Sequence, residues 1–237
     1  MAYVSFVPDN VLEAEVMHLI AVARQAKMRS KEKFGKNVID PFAAIFEIAG
    51  FGIDHSAWFE SEMTRQAQKT LQNHIGTFHQ NVLGAVFGWH NLGTGSVVDL
   101  VNSEQKIIAE VKNKYNTISG GKLAELYGTL ERLVMPKASD YKDYTAYYVS
   151  VIPKKPERYE RPFTPSDKEK GARCPSNALI REIDGNSFYE LVTGTPDALQ
   201  SLYDVLPDVI ETVVGDVLQV HDIDMLKRYF VAAFGRP

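Results

Sequence analysis

The chain has 237 residues, of which 45% are hydrophobic, and its 26 basic and 30 acidic side chains leave a formal net charge of −4. This length suffices for one sizeable domain with a real core, and the apolar fraction is too high for a disordered protein. No apolar run is long enough to span a membrane, the start lacks a signal peptide, and the one cysteine, Cys174, excludes an intrachain disulfide. We therefore expect a cytoplasmic globular protein.

The first third of the chain is predicted to be helical. Asn10 and Glu13 form a capping-box pattern that opens a first helix. Asp40-Pro41 opens a second helix, whose apolar residues share one face: Phe42, Ile45, Phe46 and Ala49. Asp54 is expected to cap a third helix, and residues 64–85 have the periodicity of a longer helix after it.

The middle of the chain changes to the pattern of strands. Residues 91–95 are rich in glycine and are predicted to form a loop. Two apolar runs, 96–101 and 106–112, are separated by a short turn and predict an antiparallel hairpin. A helix over 122–133 and a buried strand over 144–152 come next, so this strand should run parallel to the second hairpin strand after a right-handed crossover.

The last third combines a basic segment with further elements. Residues 153–178 are rich in proline and basic side chains and are predicted to form a functional loop. Residues 179–193 are predicted to form a hairpin that turns at Asp184-Gly185. Thr195-Pro196 opens a helix, and residues 222–234 form another.

The predicted fold is α/β, with a mixed sheet flanked by helices in a single domain over residues 1–237. Its parts are a helical N-terminal part, a hairpin with the core around it, and a basic loop with the C-terminal elements: 1–90, 91–152 and 153–237.

Charge is distributed unevenly along the chain. Residues 106–142 carry seven basic and four acidic side chains, residues 152–181 carry eight and four, and residues 182–237 carry three and ten. Such asymmetry suits a protein that meets a polyanion with one face. A solvated surface without a partner is the alternative. If a polyanion binds, we expect the C-terminal acids to be turned away from the basic side.

The strongest chemical pattern lies on the predicted hairpin, where Asp99 is followed after ten residues by Glu110-Val111-Lys112. Alternate side chains of a strand share a face, so Glu110 and Lys112 should point the same way, with Asp99 within cross-strand reach. Two carboxylates can bind Mg²⁺ through oxygen, and the metal makes bound water more acidic. The group suits hydrolysis of a phosphodiester, although such pairs also occur as plain surface charge on exposed strands.

At these residues the chain resembles the PD-(D/E)XK nucleases, with Asp99, Glu110 and Lys112 at the three motif positions. The sequence around this motif is similar to a family of type II restriction endonucleases that cuts GGNCC sites. The resemblance covers roughly residues 35–215. The segments that carry it are LQNHIGTFHQNVLGAVFGWHNLGTGSVVDL, KIIAEVKNKYNT, RPFTPSD and IREIDGNSFYEL.

Two departures from the family pattern stand out. Val98 occupies the position of the motif proline, which weakens only the match to the motif. Many members also place a glutamate on a helix before the first motif strand, but residues 63–98 contain none. That role is vacant here or passes to a neutral residue such as Gln80.

The resemblance implies a restriction-endonuclease-like core and a mechanism. Asp99, Glu110 and the backbone carbonyl of Val111 would hold Mg²⁺, and Lys112 would orient the attacking water or help to deprotonate it. Cleavage of double-stranded DNA would leave a 5′-phosphate and a 3′-hydroxyl. A palindromic site would favour a homodimer. A restriction enzyme also implies a prokaryotic cytoplasm and a cognate DNA methyltransferase.

Further residues are candidates for contact with DNA. Three of them follow the motif strand and could meet the backbone or a base edge: Lys114, Asn116 and Thr117. Three arginines of the basic segment could read guanine or contact phosphate: Arg158, Arg161 and Arg173. His74 and His79 are five residues apart, which is off the spacing of a two-histidine metal site on a helix. Solvated polar surface is the alternative for these residues.

Three functions are compatible with these observations. The first is a site-specific Mg²⁺-dependent DNA endonuclease. The second is a repair or junction nuclease that recognises structure rather than sequence. The third is a non-catalytic DNA-binding module in which the carboxylates are incidental.

Overall fold

The structure is a computed structural model that describes residues 2–93 and 95–235. The chain divides into two compact units. We call residues 1–16 and 78–237 the sheet unit, and residues 17–77 the helical unit. The loop predicted over 91–95 includes Thr94, which lies outside the residues that the structure describes.

The N-terminal third is helical, as predicted. Its elements are α1 (Asp9–Met28), α2 (Ser30–Lys33), a 3-10 turn (Phe34–Lys36), α3 (Pro41–Phe51) and α4 (His55–Gly84). The Asp40 carboxylate caps α3 by accepting the N–H groups of Phe42 and Ala43, and Asp54 accepts the N–H of Ala57 at the start of α4. The two helices predicted after Asp54 are one helix of 30 residues, because no proline interrupts this stretch.

A mixed sheet of six strands organises the sheet unit, in the order β1-β2-β3-β4-β8-β5. The strands are β1 (His90–Asn91), β2 (Leu100–Asn102), β3 (Ile107–Lys114), β4 (Thr145–Ile152), β5 (Glu160–Pro162) and β8 (Ile180–Asp184). β2 and β3 form the predicted antiparallel hairpin, and β3 runs parallel to β4 as predicted. β8 is parallel to β4 and antiparallel to β5.

Helix α5 (Gly120–Val134) connects β3 to β4 and covers one face of the sheet. On that face Ile108, Ala146 and Ile180 come from three neighbouring strands and are fully buried. They belong to one core cluster with Tyr127 and Leu130 of α5. This core supports the N-terminal ends of the strands and leaves polar residues further along the same face.

The helices α6 (Gly185–Thr193), α7 (Ala198–Val214) and α8 (Val220–Phe234) complete the sheet unit. The predicted loop 153–178 contains β5 and a separate two-stranded ribbon of β6 (Ser166–Asp167) and β7 (Ala172–Arg173). Among the described residues, no helix is both long and apolar enough to cross a membrane.

Other predictions about local structure were also wrong. The first hairpin strand is shorter than residues 96–101, since only β2 from Leu100 pairs regularly with β3. The predicted second hairpin over 179–193 is instead β8 followed by α6, and the Asp184 carboxylate caps that helix. Gly185 is required for close approach rather than for a turn, because a Cβ there would collide with the backbone of Val151.

Candidate active site

Asp99 is held against β3 by its backbone and by its carboxylate. Its N–H donates to the carbonyl of Ala109 at 3.0 Å, and its Oδ2 accepts the N–H of Val111 at 2.7 Å. Both contacts follow from the hairpin register, in which Leu100 lies opposite Ala109. The hairpin therefore fixes the Asp99 carboxylate beside the strand that carries the rest of the motif.

Lys112 joins the two motif carboxylates. Its Nζ lies 2.6 Å from Glu110 Oε1 and 3.7 Å from Asp99 Oδ2. The three side chains are only 24%, 16% and 19% exposed for Lys112, Glu110 and Asp99, respectively. On the other side of the strand Ala109 and Val111 are fully buried, so strand alternation delivers Glu110 and Lys112 to one face.

Burial and neighbouring charges shift the pKa values of Glu110 and Lys112 from their ordinary values. Burial and then the negative charge of Asp99 raise the pKa of Glu110 above its ordinary value, although the Lys112 ammonium acts in the opposite direction. Burial alone would lower the pKa of Lys112, but the Glu110 and Asp99 carboxylates raise it above its ordinary value. Two carboxylates that share one ammonium in a half-buried place retain an excess of negative charge, which a cation can offset.

Gln80 reaches the same strand from α4. Its Nε2 donates to the backbone carbonyl of Val111 at 3.4 Å, which is a long hydrogen bond. The structure thus brings Gln80 to the carbonyl that stands beside the motif carboxylates. The sequence indicated that residues 63–98 contain no glutamate and that the role is vacant or passes to a neutral residue such as Gln80.

Tyr148 is a member of this site that the sequence analysis did not single out. It lies directly opposite Glu110 in the parallel pairing of β3 and β4, is 4% exposed, and its hydroxyl has no hydrogen-bond partner among the described residues. Burial raises its pKa above the ordinary value. Sequence patterns contain no signal for this neighbour, because strand register across a 30-residue crossover is not a local property.

The arginines of the basic segment contact acidic side chains or the backbone of the protein itself. Arg158 contacts the carboxylates of Glu190, at 2.6 Å, and of Asp197. Arg173 donates its Nε–H to the carbonyl of Thr164 at 2.8 Å and is exposed.

Arg161 pairs with Glu182 at 2.6 Å, because the antiparallel pairing of β5 and β8 sets these two residues opposite each other. The expectation that the C-terminal acids are turned away from the basic segment is therefore wrong for Glu182, Glu190 and Asp197. Sheet pairing and the packing of the loop bring these acids to the arginines.

The polar residues after the motif strand form an exposed turn. The N–H of Thr117 donates to the carbonyl of Lys114 at 3.0 Å, and its hydroxyl accepts the N–H of Lys114 at 3.2 Å. Asn116 is exposed within this turn. The two histidines have separate partners: His79 lies 2.7 Å from the hydroxyl of Tyr189, and His74 packs against His18.

Comparison with known proteins found a matching family and two similar sequences. The family described as Eco47II restriction endonuclease matches residues 4–215. The chain is 51% identical to the type II restriction enzyme Eco47II of Escherichia coli over 99% of this chain and all of that protein. It is 31% identical to the type II restriction enzyme Sau96I of Staphylococcus aureus over 89% of this chain and 82% of that protein.

Proposed function

The chain belongs to the Eco47II restriction endonuclease family and is a site-specific deoxyribonuclease, and on this premise we propose that Asp99, Glu110 and Lys112 form its catalytic centre. The observation that carries the proposal is the convergence of both carboxylates on one ammonium, at 2.6 and 3.7 Å, on a single hairpin. We further propose that residues 1–237 work as one endonuclease domain, since the family match includes residues of both units.

The donor set of this centre fits a hard divalent cation, and we propose Mg²⁺. Asp99 and Glu110 supply carboxylate oxygens, and the carbonyl of Val111 lies on the same strand between Glu110 and Lys112. Among the described residues, no group of three or more His, Cys, Asp or Glu side chains is arranged to hold a metal, so water and phosphate would complete the coordination, as Mg²⁺ ordinarily accepts. The bound metal would make its water more acidic and offset charge on the phosphate.

Three side chains near the metal would have further roles in the reaction. Lys112 is placed to hydrogen-bond the attacking water or a phosphate oxygen, because its ammonium is already fixed by Glu110. The free hydroxyl of Tyr148 offers a further donor beside Glu110. Gln80 would orient the Val111 carbonyl, in place of the helix glutamate that residues 63–98 lack.

The finer features of the reaction are proposals of the same kind. We propose cleavage at GGNCC-like sites to leave a 5′-phosphate and a 3′-hydroxyl, by a homodimer that acts in the prokaryotic cytoplasm beside a cognate methyltransferase. Two of the candidate DNA contacts are the exposed turn at 114–117 and Arg173. These groups could contact DNA without first breaking an ion pair within the protein. Arg158 and Arg161 would have to exchange a carboxylate for a phosphate or a base.

The proposal is tested by cutting plasmid DNA with pure protein and Mg²⁺. Discrete fragments, sequenced at their ends, give the site and the stagger, and Asp99→Asn should abolish cutting while the far-UV circular dichroism is unchanged. Full cutting by Asp99→Asn would disprove the assigned centre. Cutting confined to junctions would indicate a structure-specific nuclease, and binding without cutting would indicate a non-catalytic module.

A further inference from the structure

Helix α4 carries a polar face that lines a cavity within the helical unit. Its side chains recur at intervals of three and four residues, which places them along one side of the helix: Glu62, Arg65, Gln66, Lys69, Thr70 and Asn73. Asn37 and Val38 also line the cavity, which has a volume of about 430 Å³. We call it the α4 cavity. A polar helix face ordinarily lies open to water, whereas this one is partly enclosed.

A buried carboxylate anchors the α4 cavity. Glu62 is only 6% exposed, and its Oε2 accepts the Nε–H of Arg65 at 2.7 Å and an N–H of Arg65 Nη2. Its Oε1 accepts from Gln66 Nε2 at 2.7 Å, and Gln66 Oε1 accepts from Asn37 Nδ2 at 2.5 Å. This network holds the guanidinium of Arg65 in one orientation, because each polar group in it fixes the next.

The same network leaves hydrogen-bond donors open to a ligand. Arg65 binds Glu62 through one edge, so the N–H groups of its Nη1 remain available, and its side chain is 68% exposed. Lys69 and Asn73 are exposed, and neither side chain has an ion-pair or hydrogen-bond partner among the described residues. Arg158 differs from Arg65, because two acidic side chains occupy both of its terminal nitrogens.

These donors suit a phosphate. Arg65 and Lys69 outweigh the charge of Glu62, so the α4 cavity is net positive in a chain that is net negative. Guanidinium and ammonium groups are the usual partners of phosphate oxygens. The apolar stripe of α3 lies outside the cavity and faces solvent, with Phe42 75% and Phe46 74% exposed.

The concave shape distinguishes between the parts of a DNA duplex. Phosphates project from the outside of a duplex, whereas base edges are recessed in its grooves and are reached by side chains that protrude. A cavity with donors along one wall therefore fits a backbone phosphate rather than a base edge.

We propose that the α4 cavity binds a backbone phosphate of the DNA substrate, in addition to the phosphate that meets the Asp99–Glu110–Lys112 centre. The choice of DNA as the ligand rests on the proposed function. Arg65 and Lys69 supply charge and Asn73 supplies a neutral donor. A phosphate contact orients the duplex and adds affinity without reading its sequence, so the α4 cavity contributes to binding and not to the choice of site.

The test measures binding of the full chain to labelled duplexes by fluorescence anisotropy in EDTA, so that no DNA is cut. One duplex contains GGACC, and the other has that sequence scrambled. Lys69→Met should weaken binding to both duplexes by about tenfold at low salt, the size of one charge-assisted hydrogen bond. It should also lower the slope of log Kd against log NaCl concentration by about 0.9.

Two further variants complete the test. Asn73→Ala should weaken binding to both duplexes by about threefold and leave the salt slope unchanged, because it removes a neutral donor. Lys137→Met is the matched control, since it removes the same charge from an exposed lysine outside the α4 cavity, and its binding should equal that of wild type. Far-UV circular dichroism checks that each variant is folded.

The outcomes separate this inference from the proposed function. Binding by Lys69→Met that equals binding by Lys137→Met overturns the inference, even where wild type cuts plasmid DNA in Mg²⁺. A loss confined to the GGACC duplex also overturns it, because that loss would show a base contact. Uniform weakening by Lys69→Met in a protein that never cuts DNA supports the α4 cavity and refutes the proposed function.

Discussion

Replacement of Lys112 by methionine removes the one cation that the motif carboxylates share. The methionine retains the length and the apolar stem of the lysine, so the change is confined to the ammonium. Without it, Glu110 and Asp99 face each other in a half-buried place with no counter-charge. We expect both a loss of stability without metal and a loss of cleavage with metal.

The size of the stability loss follows from the geometry. An ion pair at about 4 Å is worth about 4 kcal/mol of gross Coulomb energy at an effective dielectric constant of about 20. Desolvation of the ammonium offsets part of that gain, and the side chains remain 16–24% exposed to solvent. We therefore expect a net loss of about 2 kcal/mol, which lowers the Tm by about 4–8 °C for a chain of this size.

The pKa of Lys112 sets the pH range of this effect. Because the folded-state pKa is raised above its ordinary value, the stabilisation is complete below that ordinary value and is lost only as the pH rises through the folded-state pKa. The difference in Tm between wild type and Lys112→Met should therefore be constant from neutral pH to about pH 9 and disappear in strong alkali.

The assay is thermal unfolding in EDTA and in Mg²⁺, with Lys137→Met as the control because Lys137 is exposed and makes no ion pair among the described residues. Mg²⁺ should restore part of the Tm of Lys112→Met, since the metal replaces the lost charge, while cleavage should remain at least about 10³-fold slower. An unchanged Tm in EDTA, or normal cleavage, would refute the reasoning.

Three further predictions concern neighbouring groups. Tyr148→Phe removes a buried hydroxyl without a partner, so chemical denaturation should show a stability equal to wild type or higher by about 1 kcal/mol, while single-turnover cleavage slows; unchanged cleavage would place Tyr148 outside the mechanism. Gln80→Glu adds a carboxylate beside Val111, so half-maximal cleavage should need less Mg²⁺, and a requirement for more Mg²⁺ would contradict the placement of Gln80. Burial lowers the pKa of His79 to about 4, so the folded state excludes a proton that the unfolded chain binds near pH 6.5, and stability should fall by about 2 kcal/mol between pH 7.5 and pH 5. Urea unfolding of His79→Gln should lack that loss, and an equal pH dependence in both proteins would show that His79 is not its source.

Much of the candidate site could be predicted because it is local. Asp99, Glu110 and Lys112 lie within fourteen residues on two strands joined by a short turn. Strand alternation alone places Glu110 and Lys112 on one face, and the turn length sets Asp99 beside them. The helical N-terminal third and the parallel pairing of β3 with β4 were likewise predictable from periodicity and from the crossover helix.

The wrong predictions arose where a short stretch of sequence has its composition because of contacts with residues far away in the chain. Asp184-Gly185 has the composition of a hairpin turn, but its glycine is required by the approach of α6 to Val151. The basic segment appeared free to bind a polyanion, but Arg158 is paired with acids that lie 32 and 39 residues further along the chain.

The sequence by itself determined the family resemblance, the motif hairpin and the apolar stripe of α3, because each depends on residues a few positions apart. Only the tertiary structure decided which way that stripe faces, that Tyr148 stands beside Glu110, and which arginines are already neutralised. The physical reason is that side-chain alternation and helix periodicity are fixed by backbone geometry within a segment, whereas burial, register and ion pairing depend on what the rest of the fold places opposite.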